Sequence, residues 1–452
     1  MKLESINPYT NSVIEEFEEF SDKKVYQVIE IAEKAFDTWK HLDINNRLLL
    51  LSKVAETLLA NKDIYAYTIT AEMGKPIKES RAEIEKCAWV CSFYAENAQD
   101  MLKPQIIKTD ATLSRVQFEP LGTILGIMPW NFPFWQAFRF IAPSLAVGNT
   151  VLIKHSSNVQ GCARHIEQVF LKAGLPEGIV QNLVIRSGKV ASVINKKSIK
   201  AVTLTGSGPA GASVASEAGR NIKKSVLELG GNNAFVVFED ADIDKAVETG
   251  ITARMQNGGQ SCIAAKRFII HSQIAETFVK KLKEKVKSLK VGDPREETTD
   301  IGPLSSIEQA AEVEEQVDKS VHLGAKSEFL VRRWHATYFP VILTQVKPGM
   351  PVFDEEVFGP VLAVTEFNDE KEAIELVNKS EFGLGVSLFT KDIERAERII
   401  PQINDGAVFV NALVKSDPRL PFGGTKNSGY GRELSSFGLL EFTNIKTIYI
   451  VE

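Results

Sequence analysis

Apolar residues recur at three- and four-residue spacing over 24–39 and 47–59, and a longer stretch of the same texture covers 77–102. The first hundred residues therefore read mostly as amphipathic helices. Alternation takes over at 105–118 and predicts a hairpin or an extended ribbon. From Gly122 to about Phe238 the texture changes again. Short apolar runs at 123–128, 150–153, 178–184, 201–204 and 234–238 are separated by helical stretches. Runs with so little alternation are strands buried on both faces, and helical crossovers between them imply a doubly wound parallel sheet. A second α/β region extends from about Asp240 to Phe422 and ends in a Gly-rich loop at 421–431. The closing run, 445–451, is an apolar terminal strand, a liability unless paired. It is expected to pair, with the 105–118 ribbon, across a subunit interface.

A chain of 452 residues is too long for one ordinary core, so two or three domains are expected. Hydrophobic content of 44% and charged content of 25% are ordinary for a globular enzyme and argue against disorder. With a net charge of −5 and no long basic run, nucleic acid is not an expected partner. The first residues are polar and acquire acids early, unlike a secretory signal. No apolar run approaches the roughly 18 residues of a spanning helix, so no membrane role is expected and the cytoplasm is the default. Four cysteines do not make a disulfide scaffold. Cys87 and Cys91 sit one helical turn apart without a nearby histidine, which reads as core packing, and the six histidines are scattered. No metal site is expected.

Candidate chemistry concentrates at turns. An apolar-periodic helix (243–256) breaks at Asn257-Gly258-Gly259-Gln260-Ser261-Cys262, and an apolar strand (267–270) follows. The glycines allow a sharp turn, placing the Cys262 thiol where a nucleophile could sit; the competing reading is a small buried hydrophobe. Gly206-Ser207-Gly208-Pro209-Ala210-Gly211 follows a strand and opens a helix near Pro209, the context of a dinucleotide fingerprint. Glu228, before Gly230-Gly231, has three open readings: a ribose-binding acid, a general base with a raised pKa, or a salt-bridged surface acid. Lys154-His155-Ser156-Ser157-Asn158 follows another strand, and no acid occurs from Ile153 through Arg164. A carboxylate there would repel a 2′-phosphate, which Lys and Ser would welcome.

Pro129-Trp130-Asn131-Phe132-Pro133, Glu228-Leu229-Gly230-Gly231, Gly259-Gln260-Ser261-Cys262, Glu355-Glu356-Val357-Phe358-Gly359-Pro360-Val361 and Pro421-Phe422-Gly423-Gly424 resemble, in order and spacing, five segments of the aldehyde dehydrogenase superfamily. The resemblance covers nearly the whole chain. It implies an α/β fold: a doubly wound parallel dinucleotide-binding domain (1–104 and 119–229), a second α/β catalytic domain (230–431) and a small β oligomerisation arm (105–118 and 432–452) of a homodimer or homotetramer. It further implies Cys262 as nucleophile, Asn131 as oxyanion donor and Glu228 as the water-activating base. NADP or NAD would be held by Ile127, Met128, Pro129, Trp130, Lys154, Ser156, Ser157, Gly188, Thr205, Gly206, Ser207, Leu229, Gly230, Glu356 and Phe358.

Within the superfamily, the short length, residues 154–158 and residues 417–424 resemble the bacterial succinate-semialdehyde dehydrogenases. Many relatives carry an acid where Ser157 stands, so NADP or dual use is implied. Arg139, eight residues beyond Asn131, falls where such enzymes place a carboxylate-binding arginine. Arg419 and Ser416 are further substrate candidates. Some relatives have a second cysteine two residues after the nucleophile; here Ala264 removes that redox pair. Residues 331–340 lack the glycines expected before the next strand. The implied reaction is oxidation of a small aldehyde, foremost succinate semialdehyde, with lactaldehyde and glutarate semialdehyde as alternatives. Another class, a cofactor-independent thiol esterase or an idle binding protein, stands against it.

Overall fold

The computed structural model describes residues 2–452. It opens on an antiparallel hairpin, β1 (Lys2–Asn7) and β2 (Ser12–Glu18), which a mostly helical reading of this region does not anticipate. Its turn is made locally: the Asn7 side chain accepts from the Tyr9 and Thr10 amides, and Asn11 takes φ 55°. Helices α1 (Asp22–Trp39) and α2 (Ile44–Ala60) fall where the spacing places them. So does α4 (Ile77–Met101), but α3 (Lys62–Met73) is new. Its buried face includes Thr70 and Glu72, polar residues that blur the apolar spacing.

A short ribbon follows, β3 (Gln105–Ile106) and β4 (Leu113–Pro120), paired antiparallel. Then come β5 (Thr123–Met128), α5 (Trp135–Val147), β6 (Thr150–His155), α6 (Gln160–Lys172), β7 (Val180–Asn182), α7 (Val190–Ile194), β8 (Ile199–Thr205), α8 (Gly208–Arg220) and β9 (Lys224–Glu228). β5 to β9 are parallel, in the order β9-β8-β5-β6-β7. From β5 the chain winds outward to β6 and β7, then returns to the other side of β5. That reversal opens a crevice at the carboxyl ends of β5 and β8, the place where such sheets bind ligands.

The second α/β region, which holds the second sheet, runs through β10 (Asn233–Val237), α9 (Ile243–Met255), β11 (Ala265–His271), α10 (Ser272–Ser288), α11 (Ile307–His322), β12 (Lys326–Ser327), β13 (Arg333–Trp334), β14 (Thr337–Tyr338) and β15 (Val341–Thr344). It continues through α12 (Pro351–Asp354), β16 (Val361–Phe367), α13 (Glu370–Asn378), β17 (Phe382–Gly383), β18 (Val386–Phe389), α14 (Ile393–Ile399) and β19 (Val408–Val410). The order of the second sheet is β12-β15-β16-β11-β10-β18-β19. The run at 234–238 therefore belongs to this sheet, not to the first. Burial on both faces was legible, but sheet membership was not. β13 and β14 form a separate hairpin whose turn places His335 at φ 51°, the conformation that the missing glycines would otherwise supply.

The chain then returns to the first sheet. β20 (Thr425–Lys426) pairs with β17, and β21 (Gly429–Tyr430) adds antiparallel to β9, with Gly429 opposite Glu228. α15 (Ser435–Glu441) packs against α4 and α5, so it joins that body rather than an arm. β22 (Thr443–Ile450) pairs antiparallel with β4, from Thr443 opposite Pro120 to Ile450 opposite Leu113. The ribbon and the terminal strand thus pair with each other within one chain. α15 delivers β22 directly alongside β4, and β22 is left as the edge strand.

Candidate active site

The loop after α9 is held in an unusual backbone conformation. Asn257, Gly258 and Gly259 take φ of 55°, 61° and 80° in succession, a left-handed stretch suited to Asn and Gly. A Cβ on Gly259 would strike the Gly359 carbonyl. The Asn257 amide donates to Glu79 Oε2 at 2.6 Å, and its side-chain Nδ2 donates to the Asn131 carbonyl at 2.7 Å. Lys266 Nζ donates to the Ser261 and Cys262 carbonyls at 2.8 and 2.9 Å. Arg254 donates to the carbonyls of Val357, Val361 and Gly359 and so ties α9 to the 355–361 segment. The thiol is thus fixed by a shell of cations on carbonyls. Burial pushes the Cys262 pKa up to about 11, against the pull of Arg139 and Lys266. In this state the side chain is a thiol, not a thiolate.

Cys262 forms part of the wall of two cavities. The first, about 280 Å³, is also lined by Pro129, Trp130, Asn131, Thr205, Gly206, Ser207, Leu229, Gly230, Glu356 and Phe358, with Gln309 and Glu312 from α11. It occupies the crevice at the ends of β5 and β8. α8 begins at Gly208 with a proline in its first turn. A Cβ on Gly230 would meet the Glu356 carboxylate, which would have to shift. The Trp130 and Phe358 rings stand edge to face at 5.9 Å. Glu356 accepts from the Gly231 amide at 2.9 Å and pairs with Lys266 at 3.1 Å. A glycine-lined slot with a helix N-terminus and a carboxylate suits a dinucleotide.

Ile127 and Met128 end β5, and Lys154 is next to last in β6, buried enough to lower its pKa. Ser156 and Asn158 line a further cavity that shares Trp130 with the first. Ser157, between them, starts a short helical turn over Ser157–Val159. Gly188 sits apart, in the exposed turn after β7, and a Cβ there would meet nothing within 4 Å. It is not on the wall of either cavity that Cys262 lines.

The second cavity is about 140 Å³ and is lined by one face of α4 (Glu79, Ala82, Glu83, Lys86) together with Phe132, Trp135, Gln136, Arg139, Ser416 and Phe422. Pockets for drug-sized ligands span roughly 300–1,000 Å³, so only a small molecule fits. Arg139 is 1% exposed and is already ion-paired with Glu433. Its Nη2 donates to Thr205 Oγ1 at 3.2 Å, and its guanidinium lies 4.8 Å from the Phe422 ring centre. Arg139 thus stands on the cavity wall where a substrate residue is expected, with its guanidinium paired to Glu433. Ser416 is on the wall, as expected. Arg419 is not; its exposed guanidinium folds back on Asp417, donating at 2.9 and 2.7 Å.

Asn131 Nδ2 donates to the Gln260 carbonyl at 3.1 Å, leaving one amide hydrogen free. Glu228, at the end of β9, is buried with both carboxyl oxygens unpartnered among the described residues, and a Cβ on Gly423 would lie 2.9 Å from its Oε1. Burial and then the Glu433 charge hold its pKa well above the carboxylate range; Arg139 and Arg432 oppose them. That excludes the surface salt bridge. Glu356, not Glu228, lines the dinucleotide cavity. Sequence reading missed Lys266, Arg254, Glu433, Lys86 and Glu79. A usable signal existed on α4, where charged residues at 79, 83 and 86 share one buried helix face. Among the described residues no three His, Cys, Asp or Glu side chains are grouped to hold a metal.

The sequence profile of the Aldehyde dehydrogenase family matches residues 1–448, and the chain belongs to that family. It is 46% identical, over the full length of both chains, to a Synechocystis sp. protein named "Probable succinate-semialdehyde dehydrogenase [NADP(+)]". It is 42% identical, again over both full lengths, to succinate-semialdehyde dehydrogenase [NADP(+)] 1 of Mycobacterium tuberculosis. Among solved structures, succinic semialdehyde dehydrogenase from Streptococcus pyogenes in complex with NADP+ superposes with a TM-score of 0.97, at 36% identity, covering all of both chains.

Proposed function

We propose that this aldehyde dehydrogenase oxidises succinate semialdehyde to succinate with NADP. The observation that carries the reading is the position of Cys262 as a wall common to a glycine-lined dinucleotide slot and a small cation-lined cavity. The aldehyde enters from the cavity side and presents its carbonyl carbon to the sulfur. The Cys262 thiol gives its proton to solvent water and its sulfur adds to that carbon, and the free Asn131 amide hydrogen and the Cys262 N–H hold the resulting oxyanion. One such donor contributes about 10²–10³ in rate. The bound dinucleotide supplies a hydride acceptor at the nicotinamide. Glu356 and Phe358 would orient it, and Lys154, Ser156 and Ser157 would hold the adenosine end, where the lack of acids would accommodate a 2′-phosphate. The acyl group is left on sulfur as a thioester. Glu228, once deprotonated, takes a proton from water, which attacks that thioester and releases the acid and the thiol.

The relatives' names support the substrate and cofactor, and the 140 Å³ cavity supports a small aldehyde. A panel of aldehydes with and without a terminal carboxylate, run against NAD and NADP, tests the reading. Succinate semialdehyde with NADP should give the highest kcat/KM; equal rates for butanal would overturn it. The exposed Ile445, Tyr449 and Ile450 on edge strand β22 favour a homodimer or homotetramer. A monomer at micromolar concentration in sedimentation would refute that. Four free thiols fit a reducing cytoplasm.

A further inference from the structure

We propose that Glu79 is a positioning residue for the oxyanion site: from α4 its carboxylate holds the Asn257 amide, and through Asn257 it fixes the Asn131 side chain beside the thiol. The inference rests on the Cys262 chemistry proposed above, whichever aldehyde is oxidised. Glu79 Oε2 accepts from Asn257 N at 2.6 Å, at the first residue of the left-handed stretch. Asparagine tolerates that conformation better than most residues, yet it still needs surroundings that impose it. Asn257 then passes the constraint on. Its Nδ2 donates to the Asn131 carbonyl at 2.7 Å and to the Gln260 carbonyl at 3.2 Å. Asn131 Nδ2 donates to that same Gln260 carbonyl at 3.1 Å. An amide group is planar, so holding one hydrogen on Gln260 sets the direction of the other, the one left for the oxyanion.

α4 also braces the opposite side of the site. One turn on from Glu79, Glu83 accepts from the Phe134 and Trp135 amides at 2.9 and 3.0 Å, at the start of α5 and just beyond Asn131. Two carboxylates on one helix face thus hold the two segments that supply the nucleophile and the oxyanion donor. They differ in their partners. Glu83 is paired with buried Lys75. The other cations near Glu79 are engaged elsewhere: Lys78 by Asp300, Arg139 across the cavity by Glu433, and Lys86 on the Ser416 hydroxyl.

Burial raises the Glu79 pKa to about 7; the Asn257 amide, Lys75 and Lys78 oppose the rise, and Asp300 adds to it. From the nucleophile loop, the titratable group across the cavity is Cys262. Its ionisation is set by burial, Arg139, Lys266, Glu356 and Glu228, so Glu79 reaches the thiol through the backbone and not through charge. A hydrogen bond to an ionised acceptor is roughly twice as strong as one to a neutral acceptor. The hold on Asn257 therefore tightens as pH rises through 7.

The test follows the burst of reduced cofactor by stopped flow from pH 5.5 to 9, with saturating NADP and either succinate semialdehyde or butanal. Well below its pKa a thiol ionises about tenfold more with each pH unit. On that slope the wild type should carry a further step of about tenfold, centred near the Glu79 pKa. Glu79→Gln keeps an acceptor for the Asn257 amide but no charge. It should match the wild type at pH 5.5, be about tenfold slower at pH 8.5 and show no step, with an unchanged cofactor KM. Asn131→Ala should also lose the step. Adding Glu79→Gln to it should slow the burst by less than about twofold, because no amide remains to be oriented. A step retained in Glu79→Gln, or losses that multiply in the double variant, would overturn the assignment. Should Glu79→Gln fail to fold, the Asn131→Ala profile decides alone, and survival of the step there overturns it. An Asn131→Ala burst as fast as the wild type sinks the oxyanion reading and this inference with it. A slowed Asn131→Ala beside an unchanged Glu79→Gln sinks the inference alone.

Discussion

Arg139→Gln distinguishes a structural cation from a substrate clamp. The Arg139 and Glu433 side chains are 2% and 4% exposed, and they pair inside the first body. An exposed pair is worth about 0–1 kcal/mol, whereas breaking a buried one costs about 3–5 kcal/mol because it strands the surviving charge. Here the stranded group is Glu433, which can escape by taking a proton. Its folded-state pKa is already raised by burial, and losing Arg139 removes the main opposing influence. A carboxyl whose folded pKa lies above its unfolded value binds more protons when folded, so the variant should lose stability as pH rises from the unfolded value. We therefore expect Arg139→Gln to be destabilised most at pH 8 and least near pH 5. Urea unfolding at fixed protein concentration, followed by tryptophan fluorescence, reads this directly. Arg139→Met combined with Glu433→Leu should recover most of the loss. Catalysis should fall alike on charged and uncharged aldehydes. A deficit below about 1 kcal/mol, with a KM rise confined to succinate semialdehyde, would refute the structural role and restore the clamp.

Glu228→Gln should retain a burst of reduced cofactor near one per active site, followed by slow turnover; loss of the burst with a raised cofactor KM would favour a ribose contact. Ser157→Glu should lower the NADP to NAD ratio of kcat/KM about tenfold or more by setting a carboxylate against the 2′-phosphate. An unchanged ratio would sink the placement of the adenosine end. Gly259→Ala should cost about 1–2 kcal/mol from the left-handed φ alone, and more from the contact with Gly359, whereas Gly258→Ala incurs only the first penalty. The nearest atom to a Cβ on Gly258 is 3.6 Å away, so equal losses of stability and of Cys262 alkylation rate in the two variants would defeat the close-approach explanation.

What was legible in the sequence was local. Glycines at 258–259 and 206–208 mark turns that the backbone dihedrals and helix start bear out, and apolar runs locate strands whose carboxyl ends converge on one crevice. What was illegible depends on distant partners. Lys86 meets Ser416 and Arg139 meets Glu433 across roughly the length of the chain, and no spacing rule relates them. Arg419 illustrates the opposite error: it lies three residues from Ser416, yet its side chain turns back to Asp417 and leaves the cavity. The N-terminal hairpin escaped because no residue of β2 is buried, so no buried stripe announces it.

The buried acids around the thiol explain why Arg139 must be occupied. A free guanidinium beside Glu228 would pair with it, favouring the carboxylate but tying both oxygens into a rigid fork. Glu433 captures that guanidinium instead, and its own charge adds to the burial that raises Glu228. Glu228 is thereby left buried and unpartnered, with oxygens able to turn toward a water and a pKa shifted toward the working range of a general base. Lys266 plays the matching part for the nucleophile: it spends its hydrogen bonds on the Ser261 and Cys262 carbonyls and its charge on Glu356, so it fixes the loop without pairing the sulfur. Both reactive groups are surrounded by cations, yet neither is neutralised by one. Strong basicity and freedom to move coexist because the charges that could quench them are held by other residues.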